Sequence, residues 1–124
     1  MKSSDRVLAP VPWETIVAAK LFRFNELVND RGQGPADVVP LITGKDSETF
    51  GMGFSVFSDC ALDWELTYDE AIICLSGELT IVADGQTHTL APKDAIWLPK
   101  GTKVKYVAQK AIAAAVYYPA SPLS

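Results

Sequence analysis

Glu70 is the residue whose type and spacing give this chain its clearest chemical signal. It ends the segment Trp-Glu-Leu-Thr-Tyr-Asp-Glu at residues 64–70, and Gly77 follows after six intervening residues. The segment reads as a strand with a carboxylate on its inner face, and burial would raise the pKa of that carboxyl because apolar surroundings disfavour its charged form. Three interpretations stay open: Glu70 is a metal ligand, the polar group of an organic-ligand pocket, or a satisfied core residue.

The strand neighbours of Glu70 predict what would surround it. Side chains alternate between the two faces of a strand, so residues of matching parity should face the same interior. The expected ligand-binding residues are Trp64 and Leu66 from this strand, with Val104 and Tyr106 from a facing strand. Such a lining is mostly apolar with a few converging polar groups, which is typical of a small-molecule site.

Two further side chains are candidates to act together with Glu70. Tyr68 has the same strand parity, and His88, the single histidine of the chain, could point into a barrel and meet the carboxyl. We therefore predict Glu70 as a general acid or base, with Tyr68 and His88 as catalytic groups that orient the ligand. The alternatives are a hydrogen-bonded core or rim position for His88, and a filled barrel in which Trp64 and Tyr68 satisfy Glu70.

Composition argues against several classes of function. The formal net charge of −4 disfavours a nucleic-acid partner, because phosphate binding requires a basic face. The basic cluster Lys100, Lys103, Lys105 and Lys110 is predicted to lie on a solvated sheet edge, in preference to forming an anion site. No apolar window approaches the ~18 residues of a membrane span, and the N-terminus lacks the apolar core of a secretory signal. Cys60 and Cys74 have no metal-ligand spacing, so we expect reduced thiols in a cytoplasmic protein.

The 124 residues are expected to form one compact domain, to which residues 1–47 contribute an N-terminal arm and a first edge strand. Apolar residues at helical spacing predict a helix near 12–20, whereas residues 21–29 fit either a helix or a strand. Glycine and proline predict a loop at 29–37, and the short apolar run Val38–Ile42 is the expected edge strand.

Residues 48–124 have the period of β-strands and are expected to form the barrel itself. From Phe50 to Val56 large side chains alternate with Gly51 and Gly53, which leave one face shallow enough for a ligand or a close backbone contact. Asp84-Gly85 predicts a tight hairpin. The remaining predicted strands are 64–75, 79–83, 86–90, 95–98, 104–107 and 112–118. Short strands with frequent turns indicate an antiparallel sandwich or barrel.

Two segments match the two motifs of a known family, and the spacing between them also fits that family. Glu70 with Gly77 matches the second half of the first cupin motif. Lys93-Asp94 followed by Pro99-Lys-Gly101 matches the second motif, with Lys93 in place of its opening glycine. Over about residues 48–119 the chain resembles a cupin. The resemblance implies an all-β fold, the double-stranded β-helix or jelly-roll barrel, here with a short N-terminal arm and helix.

A closer resemblance is to the EutQ family of ethanolamine-utilisation proteins. The shared segments are Trp-x-Leu-x-Tyr-Asp-Glu at residues 64–70, Leu-x-Gly-Glu-Leu at 75–79 and Pro-Lys-Gly at 99–101. Family members from enteric bacteria are longer, with an additional N-terminal region, and an acetate kinase activity is attributed to them. The resemblance implies a place in small-molecule metabolism of the ethanolamine type.

The usual cupin metal site is predicted to be absent. The histidine positions of the cupin motifs correspond here to Trp64 and Leu66, or Asp63 and Glu65 with a longer gap, and to Val104. Only the carboxylate of Glu70 remains of a donor set that needs about three nitrogens and one carboxylate. We therefore expect no cofactor.

Our functional prediction is a EutQ-like cupin that binds a small polar or anionic metabolite, with acid/base catalysis by Glu70. One alternative is a non-catalytic binding or assembly protein of ethanolamine-type metabolism. The other is an atypical metal-dependent cupin enzyme that uses Glu70, His88 and acidic residues. The aromatic-rich arm around Trp13, Phe22 and Phe24 is larger than a small barrel needs, so we also predict a homodimer.

Overall fold

The computed structural model describes residues 18–28 and 34–120, and their regular structure is almost entirely antiparallel β-sheet. The helix in this part of the chain is α1, Phe24–Leu27. The strands found there are β1 (Ala36–Ile42), β2 (Gly51–Glu65), β3 (Asp69–Gly77), β4 (Leu79–Ala83), β5 (Gln86–Leu90), β6 (Ala95–Leu98) and β7 (Lys103–Tyr118). The all-β fold class and the short helix of the prediction are confirmed.

Strand β7 is the element around which the barrel is built. One of its edges pairs with β2, while the other pairs with β3 at residues 111–118 and with β4 at residues 104–107. β1 lies beside β2, β6 beside β3, and β5 beside β4. The alternation of buried residues along β7 slips by one position between Ala108 and Ala111. Such a slip bends a strand, which lets β7 serve both halves of the barrel.

The interior between these strands holds the main hydrophobic core. Its most completely buried side chains come from β3, β4, β6 and the connection after β2: Leu66, Cys74, Leu79, Ile81 and Leu98. A second, smaller cluster lies on β1 and β2, where Phe22, Phe24 and Val28 pack with Val39 and Val56. This second cluster ties the N-terminal segment to the barrel.

Backbone geometry explains the residue types at two turns. Asp84 and Gly85 both have positive φ, +48° and +84°, and join β4 to β5 as the predicted hairpin. Gly77 has φ +76°, and a Cβ at this position would lie 2.1 Å from the carbonyl oxygen of Lys110. Any other residue at position 77 would therefore clash with β7.

Several predicted strand boundaries are wrong. Residues 64–75 do not form one strand, because β2 ends at Glu65 and β3 begins at Asp69. The predicted strands 104–107 and 112–118 are one strand, since the slip in β7 bends the chain without interrupting its pairing with β2. β2 also continues nine residues past Val56.

The N-terminal predictions change in detail. Residues 18–20 are not helical, and the rest of the helix predicted near 12–20 lies outside the described residues. α1 instead falls within 21–29, where Phe24 packs edge-on against Phe54 with ring centroids 5.0 Å apart. β1 begins at Ala36, so the loop predicted at 29–37 extends too far.

Lys103 and Lys105 do not mark a sheet edge, so that prediction is wrong. They lie on β7, which has strand neighbours on both sides, opposite Glu65 and Asp63 of β2 in the register. Opposite charges in facing positions favour this pairing.

Candidate functional site

The connection between β2 and β3 orients Glu70 by joining the two motif segments. In the Pro-Lys-Gly turn, the Gly101 N–H donates to the carbonyl oxygen of Leu66 at 2.8 Å. The Lys100 N–H donates to Asp69 Oδ1, also at 2.8 Å. Because Asp69 is held on this turn, the alternation of side chains along β3 directs Glu70 to the interior.

Glu70 is buried, with 7% of its surface exposed, and Tyr106 of β7 is its hydrogen-bond partner. The Tyr106 hydroxyl donates to Glu70 Oε1 at 3.0 Å. The Tyr106 ring is stacked on Phe57, with centroids 5.8 Å apart and an interplanar angle of 27°. The stacked rings hold the hydroxyl in place, so the carboxyl and its donor are positioned before any ligand arrives.

Burial decides the protonation behaviour of this group. It raises the pKa of Glu70 from 4.5 to about 7, although the hydrogen bond from Tyr106 acts in the opposite direction. Burial, and then the charge of Glu70, raise the pKa of the Tyr106 and Tyr68 hydroxyls as well. The two phenols therefore stay protonated donors over the pH range in which Glu70 titrates.

A cavity of about 250 Å³ opens beside Glu70. Among the residues of 18–28 and 34–120 that line it, Glu70 alone carries an acidic or basic side chain. Four lining residues are aromatic: Phe57, Trp64, Tyr68 and Tyr106. The others are small or aliphatic: Ala36, Val38, Ser55, Leu62, Ile72, Ala113 and Ala115. Trp64 is 52% exposed, so it stands where the cavity meets solvent.

Small residues on β2 and β7 leave the space for this cavity. Ser55 and Ala113 are paired across the two strands, and both line the cavity, as does Ala115. Larger side chains at these positions would fill the space, because protein interiors otherwise pack closely. Gly53 is small for a different reason, because a Cβ there would lie only 2.9 Å from the Val39 carbonyl oxygen. The shallow face of β2 at this position thus accommodates the backbone of β1.

Four of the predicted site residues meet at the cavity: Glu70, Tyr68, Trp64 and Tyr106. Leu66 and Val104 are buried in the main core and do not belong to the cavity lining. They fill the barrel below the site.

The predicted approach of His88 to Glu70 is wrong. His88 is exposed on β5, opposite Ile81 of β4, and does not line the cavity. Four of the five residues of β5 are exposed, so strand parity alone could not show which face of this strand meets the interior. Tyr106 takes the hydrogen-bonding position expected of His88.

The donor groups around Glu70 do not fit the metal site that a cupin motif implies. Two of the positions that correspond to histidines, Leu66 and Val104, are buried apolar side chains, and Trp64 is a cavity wall. The polar neighbours of Glu70 in the cavity are phenols, which bind transition metals less readily than imidazole does. Within residues 18–28 and 34–120, no group of three or more His, Cys, Asp or Glu side chains is arranged to hold a metal ion.

Sequence reasoning missed part of the lining. The sequence predicts no strand at Phe57 and Leu62, and the residues of β2 that line the cavity change from odd to even positions across Asp59, which has φ +46°. Ala113 and Ala115 were placed on a strand, but not at a site. The alternation of alanines at 111, 113 and 115 was the available signal, because small residues on the inner face of a strand leave a void.

A protein-family model described as ethanolamine utilisation protein EutQ matches residues 15–123. This chain belongs to the EutQ family. The resemblance predicted from the motifs is confirmed, and the match includes the whole of the site.

Individual EutQ proteins match parts of the chain. Acetate kinase EutQ of Clostridioides difficile (strain 630) is 34% identical over 75 residues, 58% of this chain and 48% of that protein. The chain thus spans about half the length of that curated relative. The solved structure of the Clostridium difficile EutQ protein has a TM-score of 0.65 and 30% identity, covering 69% of this chain and 64% of that one.

A more distant structure identifies the fold. The cupin domain of an XRE family transcriptional regulator from Enterobacter cloacae has a TM-score of 0.62 at 16% identity, covering 71% of this chain and all of that one. The likeness confirms the cupin jelly-roll barrel for this EutQ-family chain. In the described part of the chain, no helix has the length and apolar character to cross a membrane.

Proposed function

We propose that this EutQ-family chain binds a small organic molecule in the cavity beside Glu70, and that Glu70 transfers a proton to or from it. The observation that carries the proposal is the hydrogen-bonded pair Glu70–Tyr106 at an apolar cavity of about 250 Å³. A carboxyl with a pKa of about 7 populates both protonation states at neutral pH, as a general acid or base requires.

The proposed roles follow from the positions of the lining residues. Tyr106 binds Oε1 of Glu70, which leaves the other carboxyl oxygen for the ligand. Tyr68 also lines the cavity and supplies a second hydroxyl that can orient a ligand oxygen or nitrogen. Trp64, half-exposed at the opening, forms the apolar wall.

The charge of the lining narrows the ligand class. No Lys, Arg or His within residues 18–28 and 34–120 lines the cavity, so among these residues an anionic metabolite would meet the Glu70 carboxylate without an opposite charge. We therefore favour a ligand whose polar group is neutral or positive over the anionic one predicted from the sequence.

The lining of the cavity also bears on phosphoryl transfer, the reaction implied by the name acetate kinase that EutQ relatives carry. Proteins hold phosphate with Arg, with Lys or with clustered backbone N–H groups, and the described residues that line the cavity include no basic side chain for this. Phosphoryl transfer is therefore not the chemistry that we propose for this cavity.

A second candidate function is non-catalytic binding in the same metabolism. It is favoured by the fact that Tyr106 already satisfies the buried carboxyl, as a structural pair would. The two candidates share the ligand cavity and differ in whether Glu70 moves a proton.

Whether the cavity holds a ligand is tested by measuring the binding of cyclohexanone, a neutral probe, with saturation-transfer NMR. Ala113→Leu should abolish binding because its side chain fills the cavity, while Ala71→Leu, on the exposed face of β3, should preserve it. Equal binding by both variants would place the probe elsewhere and contradict the proposal.

Proton transfer is tested with the same probe in D₂O. The wild-type protein should accelerate deuterium exchange next to the carbonyl of cyclohexanone, because Glu70 can remove that proton. Glu70→Gln should lower the rate at least about tenfold while the probe still binds. Exchange that does not depend on Glu70, with binding retained, would reject the acid/base role and favour non-catalytic binding.

A further inference from the structure

The cavity combines one acidic group with an aromatic wall. Glu70 is the single acidic residue among the described residues of its lining, and the rings of Phe57, Trp64, Tyr68 and Tyr106 line the same space. The face of an aromatic ring carries partial negative charge and attracts cations. A cation that lies against the face of one of these rings would therefore be attracted by the ring as well as by Glu70.

The aromatic wall is held in place by ring packing. Phe57 and Tyr106 form a stacked pair. Tyr68 packs against Tyr117 with ring centroids 5.5 Å apart and an interplanar angle of 50°. A wall that is already ordered costs less conformational entropy when a ligand binds.

Building on the proposed function of this cavity, we propose that its ligand is a small organic ammonium ion, with the nitrogen at Glu70 and the alkyl part against the aromatic wall. Ammonium N–H groups would donate charge-assisted hydrogen bonds to the carboxylate. A neutral alcohol could donate one hydrogen bond but would gain little from the rings. A carboxylate ligand would be repelled by Glu70.

The proposal predicts a coupling between ligand and proton. In the part of the chain that the structure describes, the groups around Glu70 are Tyr106 and Tyr117 of β7, Tyr68 of the β2–β3 connection, and Leu98 of β6, and none of them is basic. An ammonium ion selects the ionised carboxylate, so its binding releases a proton from Glu70. With a pKa of about 7, the ionised fraction rises about tenfold between pH 6 and pH 8, and the affinity should follow it.

The test compares three probes of matched chain length: n-butylammonium, n-butanol and n-butyrate. Their binding to the full chain is measured by saturation-transfer NMR at pH 8. Butylammonium should bind at least about tenfold more tightly than butanol, and butyrate should not bind. Glu70→Gln should weaken butylammonium binding about tenfold and leave butanol unchanged. Glu78→Gln, at an exposed glutamate outside the cavity, should change neither.

The outcomes separate this inference from the proposed function. If butanol binds as tightly as butylammonium and Ala113→Leu abolishes both, the cavity is a ligand site but the ammonium class is wrong. If butylammonium binds equally at pH 6 and pH 8, the proposed ion pair with Glu70 is wrong. If neither cyclohexanone nor any of the three probes binds, the proposed function fails together with this inference.

Discussion

The substitution Glu70→Gln should change how the stability of the protein depends on pH. The side chain keeps its shape and retains a carbonyl oxygen that can accept the Tyr106 hydrogen bond. It removes a carboxyl whose charged form is disfavoured by burial. The effect can therefore be worked out from the pKa of Glu70 alone.

The sign follows from comparing folded and unfolded chains. The folded protein holds the Glu70 proton up to a pKa of about 7, whereas the unfolded chain releases it near 4.5. Stability due to this group is fully present below pH 4.5 and is lost as the pH rises through 7. At 1.36 kcal/mol per pH unit, the total is about 3 kcal/mol, most of which is lost between pH 5 and pH 8.5.

The assay is urea unfolding of both proteins at pH 5 and pH 8.5, followed by circular dichroism. The free energy of unfolding of Glu70→Gln, relative to the wild type, should rise by about 2 to 3 kcal/mol between the two pH values. Glu78→Gln is the matched control, because the same change at an exposed glutamate should leave the difference near zero. A relative stability of Glu70→Gln that does not change with pH would refute a buried, proton-holding Glu70.

Three other predictions can be checked on the same preparations. Tyr106→Phe removes the donor to Glu70, so the free energy of unfolding should fall by about 1 kcal/mol at pH 8 in urea, while Tyr118→Phe, at an exposed ring, should have no effect. Lys93 has φ +82°, a conformation that suits glycine. Lys93→Gly should therefore raise the free energy of unfolding by up to about 1 kcal/mol, which is measured as a higher melting temperature. A lower melting temperature would contradict this account of the turn. Lys100→Gly, in a turn where φ is not positive, should not stabilise. The homodimer stays a prediction, and a monomer mass in light scattering at micromolar concentration would reject it.

The structure changes the reasoning that led to the homodimer. Phe22 and Phe24 pack against the second hydrophobic cluster of their own chain, so they are not free to cover a second copy. Trp13, the remaining aromatic residue of that argument, lies outside the described residues. The aromatic content of the arm therefore supports self-association less than its composition suggested.

Local signals predicted those parts of the fold that depend on neighbouring residues. The hairpin at Asp84-Gly85 and the strands beside it were predicted to the residue, because a two-residue turn fixes its register locally. The break between β2 and β3 was missed, since it depends on hydrogen bonds to the distant Pro-Lys-Gly turn at 99–101. The continuity of β7 was missed for a similar reason, because its pairing with β2 spans the bend.

The sequence by itself determined the all-β class, the cupin motif spacing and the inward carboxylate of Glu70, because each rests on short-range alternation and turn chemistry. Only the tertiary structure decided which side chains meet that carboxyl. Tyr106 reaches Glu70 through strand pairing across the barrel, and His88 does not, because β5 turns most of its residues to solvent. The cavity also depends on tertiary packing, since small residues such as Ala113 leave a void only when the surrounding strands close over them.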